Sequence, residues 1–398
     1  MAFALRLAAV LVLALALPPL PAAAAEAGGV VRGVSPDEIV VGTHMDLSGP
    51  LAVWGAAVRN GLVMAFDEVN EEGGVHGRTL RLIAEDDGYD TSHAEQAVRK
   101  LVAHDRVFAI LAPAGTPTVQ ASMRHALEQG VLHLFPLSEA RQAYAPFHAL
   151  KFGARAPLSD QMRAGLGYLL HQHGPLRVAI LLEEDELGFG VTEGAVAELS
   201  RRGLEPATMV PVARDAEDFG TEIANLRANG SEIVVLGVTM QTAIGAMETA
   251  RASGWRPIFL CSSACYVPEI ATFGGGAVER LLAVGQFAVP RADDPHAGLR
   301  AWVARYERKF TAVATAQALY GATMGHLFVE ALKRAGAQPT QANFAKALED
   351  MEPWTDPALG GVPIDFTAEN HLGARTGFLA QMRGGRWVQL TGPLDAPN

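Results

Sequence analysis

Only a few stretches of this 398-residue chain combine residue types and spacings that suit chemistry. Gly115-Thr116 stands between an apolar run and a helical stretch. Backbone N–H groups at such a junction face a carboxylate or another anion, and the Thr hydroxyl adds a donor. A plain Gly-Thr-Pro turn is the competing reading. Ser138 and Glu139 follow the next apolar run and face the same rim; the carboxylate either meets a ligand or solvates a helix start. Acids concentrate at Glu183-Glu184-Asp185-Glu186 and at Glu85-Asp86-Asp87. Consecutive acids on regular backbone cannot all turn to one cation, so the first reads as a solvated loop and the second as a strand-end turn. His171 and His173 read as surface.

Cys261 and Cys265 are the only two cysteines. Without paired histidines they make a poor zinc site, so a small disulfide loop and a pair of packed thiols both stay open. No G-x-S-x-G elbow, P-loop or dinucleotide glycine motif follows a strand. Gly274-Gly275-Gly276 follows a helical stretch, which argues against phosphate binding. Ser262, Ser263 and Cys265 are too common a composition to make a nucleophile. These residues point to non-covalent capture without metal or cofactor, and no enzyme is expected.

The elements that must carry these residues alternate along the chain. Strands are expected at 39–42, 79–84, 107–111 and 131–135, with helices at about 54–70, 118–129 and one opened by a Ser92/Glu95 capping box. The rhythm restarts after Phe152, with strands at 177–182, 207–212, 232–236 and 257–261. Helices at 189–202, 219–228 and 241–253 separate them. Apolar strands divided by helices mean parallel sheets covered on both faces. The α/β rhythm occurring twice predicts two doubly wound lobes. Beyond them, 281–289 reads as extended, and 296–310, 319–335 and 341–351 as helices, the last capped by Thr340. The end, 378–382 and 387–390, reads as a hairpin. The chain is expected to cross between lobes more than once, so that the cleft becomes the natural ligand site.

Composition narrows the partners. Hydrophobic residues make up 49% and charged ones 19%, with a net charge of −11 and no basic run. Nucleic acid is excluded as a partner, because phosphate neutralisation needs a clustered basic face. Arg6, the apolar stretch from Leu7 to Leu17, Pro18, Pro19, Pro21 and the small residues Ala22 to Ala25 read as a signal peptide cleaved near Ala25. A buried N-terminal helix is the alternative. Residues 26–36 read as a mobile leader, and no later segment offers the ~20 apolar residues of a membrane span.

Several segments in fixed order resemble the branched-chain amino acid and amide type of periplasmic solute-binding protein. They begin with Asp46-Leu47-Ser48-Gly49-Pro50, Trp54-Gly55, Asn60-Gly61, Asn70 and Gly73-Gly74-Val75. Asp86-Asp87-Gly88-Tyr89-Asp90 and Gly115-Thr116-Pro117-Thr118 follow, then Asn343 to Glu349, Asn370-His371 and Phe378-Leu379-Ala380-Gln381. The resemblance covers nearly all of the chain after the signal peptide. It implies a type I periplasmic binding protein fold, two Rossmann-like lobes joined by a three-segment hinge. The lobes are expected at 37–154 plus 288–360 and at 155–287 plus 361–393. It also implies a periplasmic monomer that takes a small-molecule ligand to a membrane ABC permease; a ligand sensor would share this fold and cleft.

The resemblance extends the candidate ligand contacts. Trp54 stands where the family places an aromatic wall. Leu187, Phe189, Thr239 and Ser263 stand at strand ends of the second lobe, and Tyr320 is the aromatic near the hinge. The departures bear on the ligand. Amino-acid binders have Ser at the position of Gly115, Thr at that of Glu139, and Tyr at those of Leu187 and Thr239. They place a carboxylate for the ligand ammonium where Ser263 stands. A buried ammonium without a counter-charge costs on the order of several kcal/mol. The expected ligand is therefore a partly apolar or aromatic acid, an amide, or an atypical amino acid.

Overall fold

A computed structural model describes residues 31–49, 51–213 and 216–395. The signal peptide expected at 1–25 and the first residues of the leader lie outside the described residues. From Val31 onward the leader is packed: Val31 and Val34 lie on the first core, and Val34 bridges Ile39. Both valines are partly buried, while Ser35 and Pro36 stay exposed.

The first sheet holds β1 (Glu38–Met45), β2 (Thr79–Asp86), β3 (Ala109–Leu111), β4 (Leu132–Leu134) and β5 (Lys151–Phe152). Its order is β2-β1-β3-β4-β5, every pair parallel. Helices α1 (Ala52–Glu71), α2 (Thr91–Arg99) and α3 (Thr116–Glu128) connect the first four strands. Asp90, not Ser92, caps α2: its carboxylate accepts from the N–H groups of Ser92 and His93 at 2.8 and 3.0 Å. A charged acceptor one residue before the helix outcompetes a hydroxyl already inside its first turn.

The second lobe opens with α4 (Leu158–His173), which carries His171 and His173 in its exposed last turn. Strands β6 (Val178–Glu183), β7 (Thr208–Val212), β8 (Ile233–Gly237), β9 (Ile258–Cys261) and β10 (Leu282–Gly285) follow. Helices α5 (Glu186–Arg201), α6 (Gly220–Ala228), α7 (Met240–Ala252) and the short α8 (Glu269–Gly274) alternate with them. The parallel part runs β7-β6-β8-β9-β10, the same winding as the first sheet. Every residue of β6 and β8 is buried, as expected of strands covered by helices on both faces.

The chain then returns to the first lobe as α9 (Ala297–Phe310), α10 (Ala316–Ala335) and α11 (Gln341–Glu349). Thr340 caps α11 by accepting from the N–H of Asn343. Helices α1 and α10 touch backbone to backbone. A Cβ at Gly61 would lie 2.1 Å from the Ala318 carbonyl oxygen, and one at Gly321 2.2 Å from that of Val58. Only glycine allows that approach. His326 on α10 also reaches Glu68 of α1 (3.0 Å).

A small hairpin, β11 (Trp354–Asp356) with β12 (Gly360–Ile364), leads to β13 (Thr376–Arg383), β14 (Arg386–Gln389) and β15 (Leu394–Asp395). These form the antiparallel edge of the second sheet.

Three stretches pass between the lobes and lie side by side. The Gly153 N–H donates to the His371 carbonyl (2.9 Å), the Gly373 N–H donates back to Gly153 (2.7 Å), and the Val362 N–H donates to Gln286 (3.1 Å). Ile364 and Phe366 still pack in the first core, while Ala374 and Phe378 pack in the second. Val362 also packs in the second core, so the third passage is spread over residues 362–374.

Candidate functional site

In a doubly wound sheet the C-terminal strand ends open onto a crevice. Here the loops leaving those ends in both sheets line one shared cavity of about 550 Å³. From the first lobe come Trp54 after β1, Thr116 after β3, Leu137, Ser138 and Glu139 after β4, and Arg155 after β5. From the second come Leu187 after β6, Thr239 and Met240 after β8, Ser263 after β9, and Gln286 and Phe287 after β10. Tyr320 on α10 closes the back, and Phe273 of α8 stands at the mouth, largely exposed.

The polar centre is a relay through one carboxylate oxygen. Glu139 Oε1 accepts from Arg155 Nε (3.0 Å) and Nη2, and from Ser263 Oγ across the cleft (2.7 Å). Arg155 stacks over the Tyr320 ring, 5.7 Å from its centroid. Burial alone would lower the Arg155 pKa, but the adjacent Glu139 charge outweighs it and holds the guanidinium above its ordinary value. Burial pushes the Tyr320 hydroxyl up, and that hydroxyl donates to the carbonyls of Phe135 (2.7 Å) and Pro136 (3.0 Å). Tyr320 thereby pins the loop that presents Glu139. Ser263 is held from behind by Gln161, whose Oε1 accepts from the Ser263 N–H (2.9 Å). The bridge between Cys261 and Cys265, with Cα atoms 6.0 Å apart, closes the turn that carries Ser263.

Beside this relay, Thr116 Oγ1 and Ser138 Oγ lie 3.0 Å apart at the start of α3. Thr239 turns inward, donating both N–H (3.0 Å) and hydroxyl (2.8 Å) to Glu183 Oε1, which also accepts from Thr242 (2.7 Å). This corrects the reading of 183–186 as a solvated loop. Glu183 is buried because three donors from the β8–α7 turn converge on it, and Asp185 caps α5 through the Gly188 N–H.

Eight of the ten expected contacts line the cavity: Trp54, Thr116, Ser138, Glu139, Leu187, Thr239, Ser263 and Tyr320. Gly115 and Phe189 do not. Gly115 sits at φ +108° as the residue before α3, where it makes the turn against the Tyr89 ring. Phe189 projects from α5 and is 56% exposed. Arg155, Leu137, Met240, Gln286 and Phe287 were not anticipated. Arg155 obeys the strand-end rule, but its strand is only two residues long.

One arrangement resembles a catalytic triad. Ser122 Oγ lies 2.7 Å from His44 Nε2, and His44 Nδ1 lies 2.8 Å from Asp87 Oδ2. All three side chains are sealed from solvent inside the first lobe, so no substrate atom reaches the hydroxyl. The chain of contacts ties α3, the end of β1 and the Asp87 turn together. Among the described residues no group of three or more His, Cys, Asp or Glu is placed to hold a metal, and no helix is long and apolar enough to cross a membrane.

Two doubly wound lobes, three adjacent passages and a ligand-sized cleft define a binding protein of the type I periplasmic fold. The periplasmic binding protein family model matches residues 38–386. The chain belongs to that family. It is 24% identical over 336 residues to the Leu/Ile/Val-binding protein homolog 1 of Brucella suis, covering 84% of this chain and 88% of that relative. Against an amino acid binding protein of Pseudomonas aeruginosa it is 23% identical over 240 residues, spanning 60% of this chain but only 64% of the relative. A branched chain amino acid ABC transporter protein from Thermus thermophilus, solved with bound valine, superposes with a TM-score of 0.75 at 21% identity, over 90% of this chain and 97% of that one. Proteins of the family are periplasmic binders of small molecules rather than enzymes.

Proposed function

We propose that this protein is exported, loses its signal peptide near Ala25, captures a small and partly apolar solute between its lobes, and delivers it to an ABC importer. The solute class is an aromatic or aliphatic organic acid, an amide, or an atypical amino acid. The protein itself carries out no turnover. The observation that carries this reading is the composition of the cleft. Trp54, Leu137, Leu187, Met240, Phe273 and Phe287 surround a Glu139–Arg155 pair that already balances its own charge. An ordinary α-amino acid would bring an ammonium to the second lobe, where Ser263 offers no counter-charge. The remaining lining carboxylate, Glu269, is exposed at the start of α8. Desolvating an unpaired ammonium costs on the order of several kcal/mol, more than one added hydrogen bond returns. Apolar walls and a neutral polar centre favour a ligand with an apolar body and a compact polar head.

A thermal-shift panel of amino acids, organic acids and amides tests this. A ligand at one hundred times its Kd stabilises by about 2.7 kcal/mol, which is readily seen as a shifted melting curve. Organic acids or amides should raise the transition. Strong stabilisation by leucine or glutamate alone would overturn the proposed ligand class.

A further inference from the structure

We propose a second ligand site on the far side of the second lobe, built for a small organic anion with an apolar or aromatic body. A cavity of about 900 Å³ opens at the N-terminal ends of β9 and β10, opposite the interlobe cleft. Its apolar wall is Trp255, Tyr168, Met247 and the edge of Phe259, with Trp255 set edge-on to Phe259 at 6.4 Å between centroids. Four arginines line the same concavity: Arg251, Arg256, Arg280 and Arg383.

Three features separate this cavity from an ordinary solvated surface. None of the four arginines forms an ion pair among the described residues, whereas Arg81, Arg305 and Arg334 elsewhere on the surface pair with Glu38, Glu68 and Glu330. The one carboxylate in the cavity, Glu279, is engaged by the Gly384 N–H at 3.0 and 3.2 Å. This concentration of unpaired positive charge stands in a chain whose net charge is −11. Second, three of the four guanidinium groups are positioned. Arg256 Nη1 donates to the carbonyls of Arg251 (2.9 Å) and Trp255 (3.0 Å), Arg383 Nε donates to Gln381 Oε1 (2.8 Å), and Arg251 lies over Gly276, where a Cβ would meet its Nη1 at 2.6 Å. Each keeps further N–H donors. Third, the cavity falls within the roughly 300–1,000 Å³ of small-molecule sites, and arginine forks beside aromatic walls match a carboxylate, phosphate or sulfonate on an apolar body.

The site stands apart from the cleft and does not depend on its ligand. The test uses 8-anilinonaphthalene-1-sulfonate, an aromatic sulfonate, titrated by fluorescence into the full chain. Saturable binding is expected. Arg256→Glu/Arg383→Glu should weaken it by about tenfold or more, since two attractive charges become repulsive, while Arg256→Lys/Arg383→Lys keeps the charge but not the fork and should weaken it less than the reversal does. Both substituted residues are exposed. An unchanged circular dichroism spectrum verifies folding, and Arg251→Ala/Arg280→Ala serves as an independent pair should the charge reversal misfold. Unaltered affinity in a folded arginine variant, or no saturable binding to the parent, would overturn the proposal.

Discussion

Replacing Arg155 by Met removes the cation that balances Glu139 while keeping most of the side-chain volume. Breaking a fully buried ion pair by deleting one partner costs about 3–5 kcal/mol, mostly from the charge left behind. Here the two side chains retain 16% and 17% exposure, so solvent relieves part of that penalty. Ser263 also continues to donate to Glu139. An expected cost of about 3 kcal/mol follows, equivalent to a drop of roughly 6–12 °C in melting temperature for a lobe of this size. Urea denaturation of the parent, Arg155→Met, Glu139→Gln and the double variant measures it as a cycle. Because the double variant has no orphan charge, it should recover about 2 kcal/mol relative to the sum of the singles. A loss below about 1 kcal/mol in Arg155→Met, or additivity in the cycle, would refute the view that the pair is desolvated and coupled.

Two further outcomes are expected. His326 lies between Glu68 (3.0 Å) and Asp356 (2.6 Å); burial opposes its charge, but these carboxylates raise its pKa from 6.5 to about 9. Its stabilisation is fully present below about pH 6.5 and lost as pH rises through about 9, a difference on the order of 3 kcal/mol. His326→Gln should flatten the stability profile across that window, and an unchanged slope in urea titrations would count against the clamp. Gly61→Ala should destabilise by roughly 2 kcal/mol or more, because the added methyl meets the Ala318 carbonyl oxygen at 2.1 Å and must force α1 from α10; a melting curve matching the parent would show that the helices have slack.

Apolar runs between helical stretches were enough to anticipate both sheets, because parallel strands buried on two faces leave a continuous hydrophobic signature. What escaped notice was short or lacked that signature. Strand β5 is two residues long, so the strand-end rule that found Thr116 and Ser138 had no strand from which to reach Arg155. Strand β10 ends at Gly285 and the chain bends at Gln286 and Phe287, whereas the sequence reads as extended over 281–289, which hides the strand end and its two lining residues. Helix α4 went unrecognised, its polar last turn drawing attention to His171 and His173 instead. Glu183 looked solvated because its partners, Thr239 and Thr242, lie more than fifty residues away in sequence. A carboxylate's burial is decided by donors that local composition does not reveal.

The backbone contact between α1 and α10 also dictates an order of assembly. Phe66 and Phe108, from the first third of the chain, pack against Phe328, and Phe108 also against Phe344, with ring centroids 5.6 to 6.3 Å apart. Until the ribosome has supplied those later rings, the opening segment has no lid for its oiliest face. The strands of the second lobe's parallel sheet, by contrast, are contiguous in sequence. A polypeptide threaded amino-end first therefore leaves its leading lobe unfinished to the last.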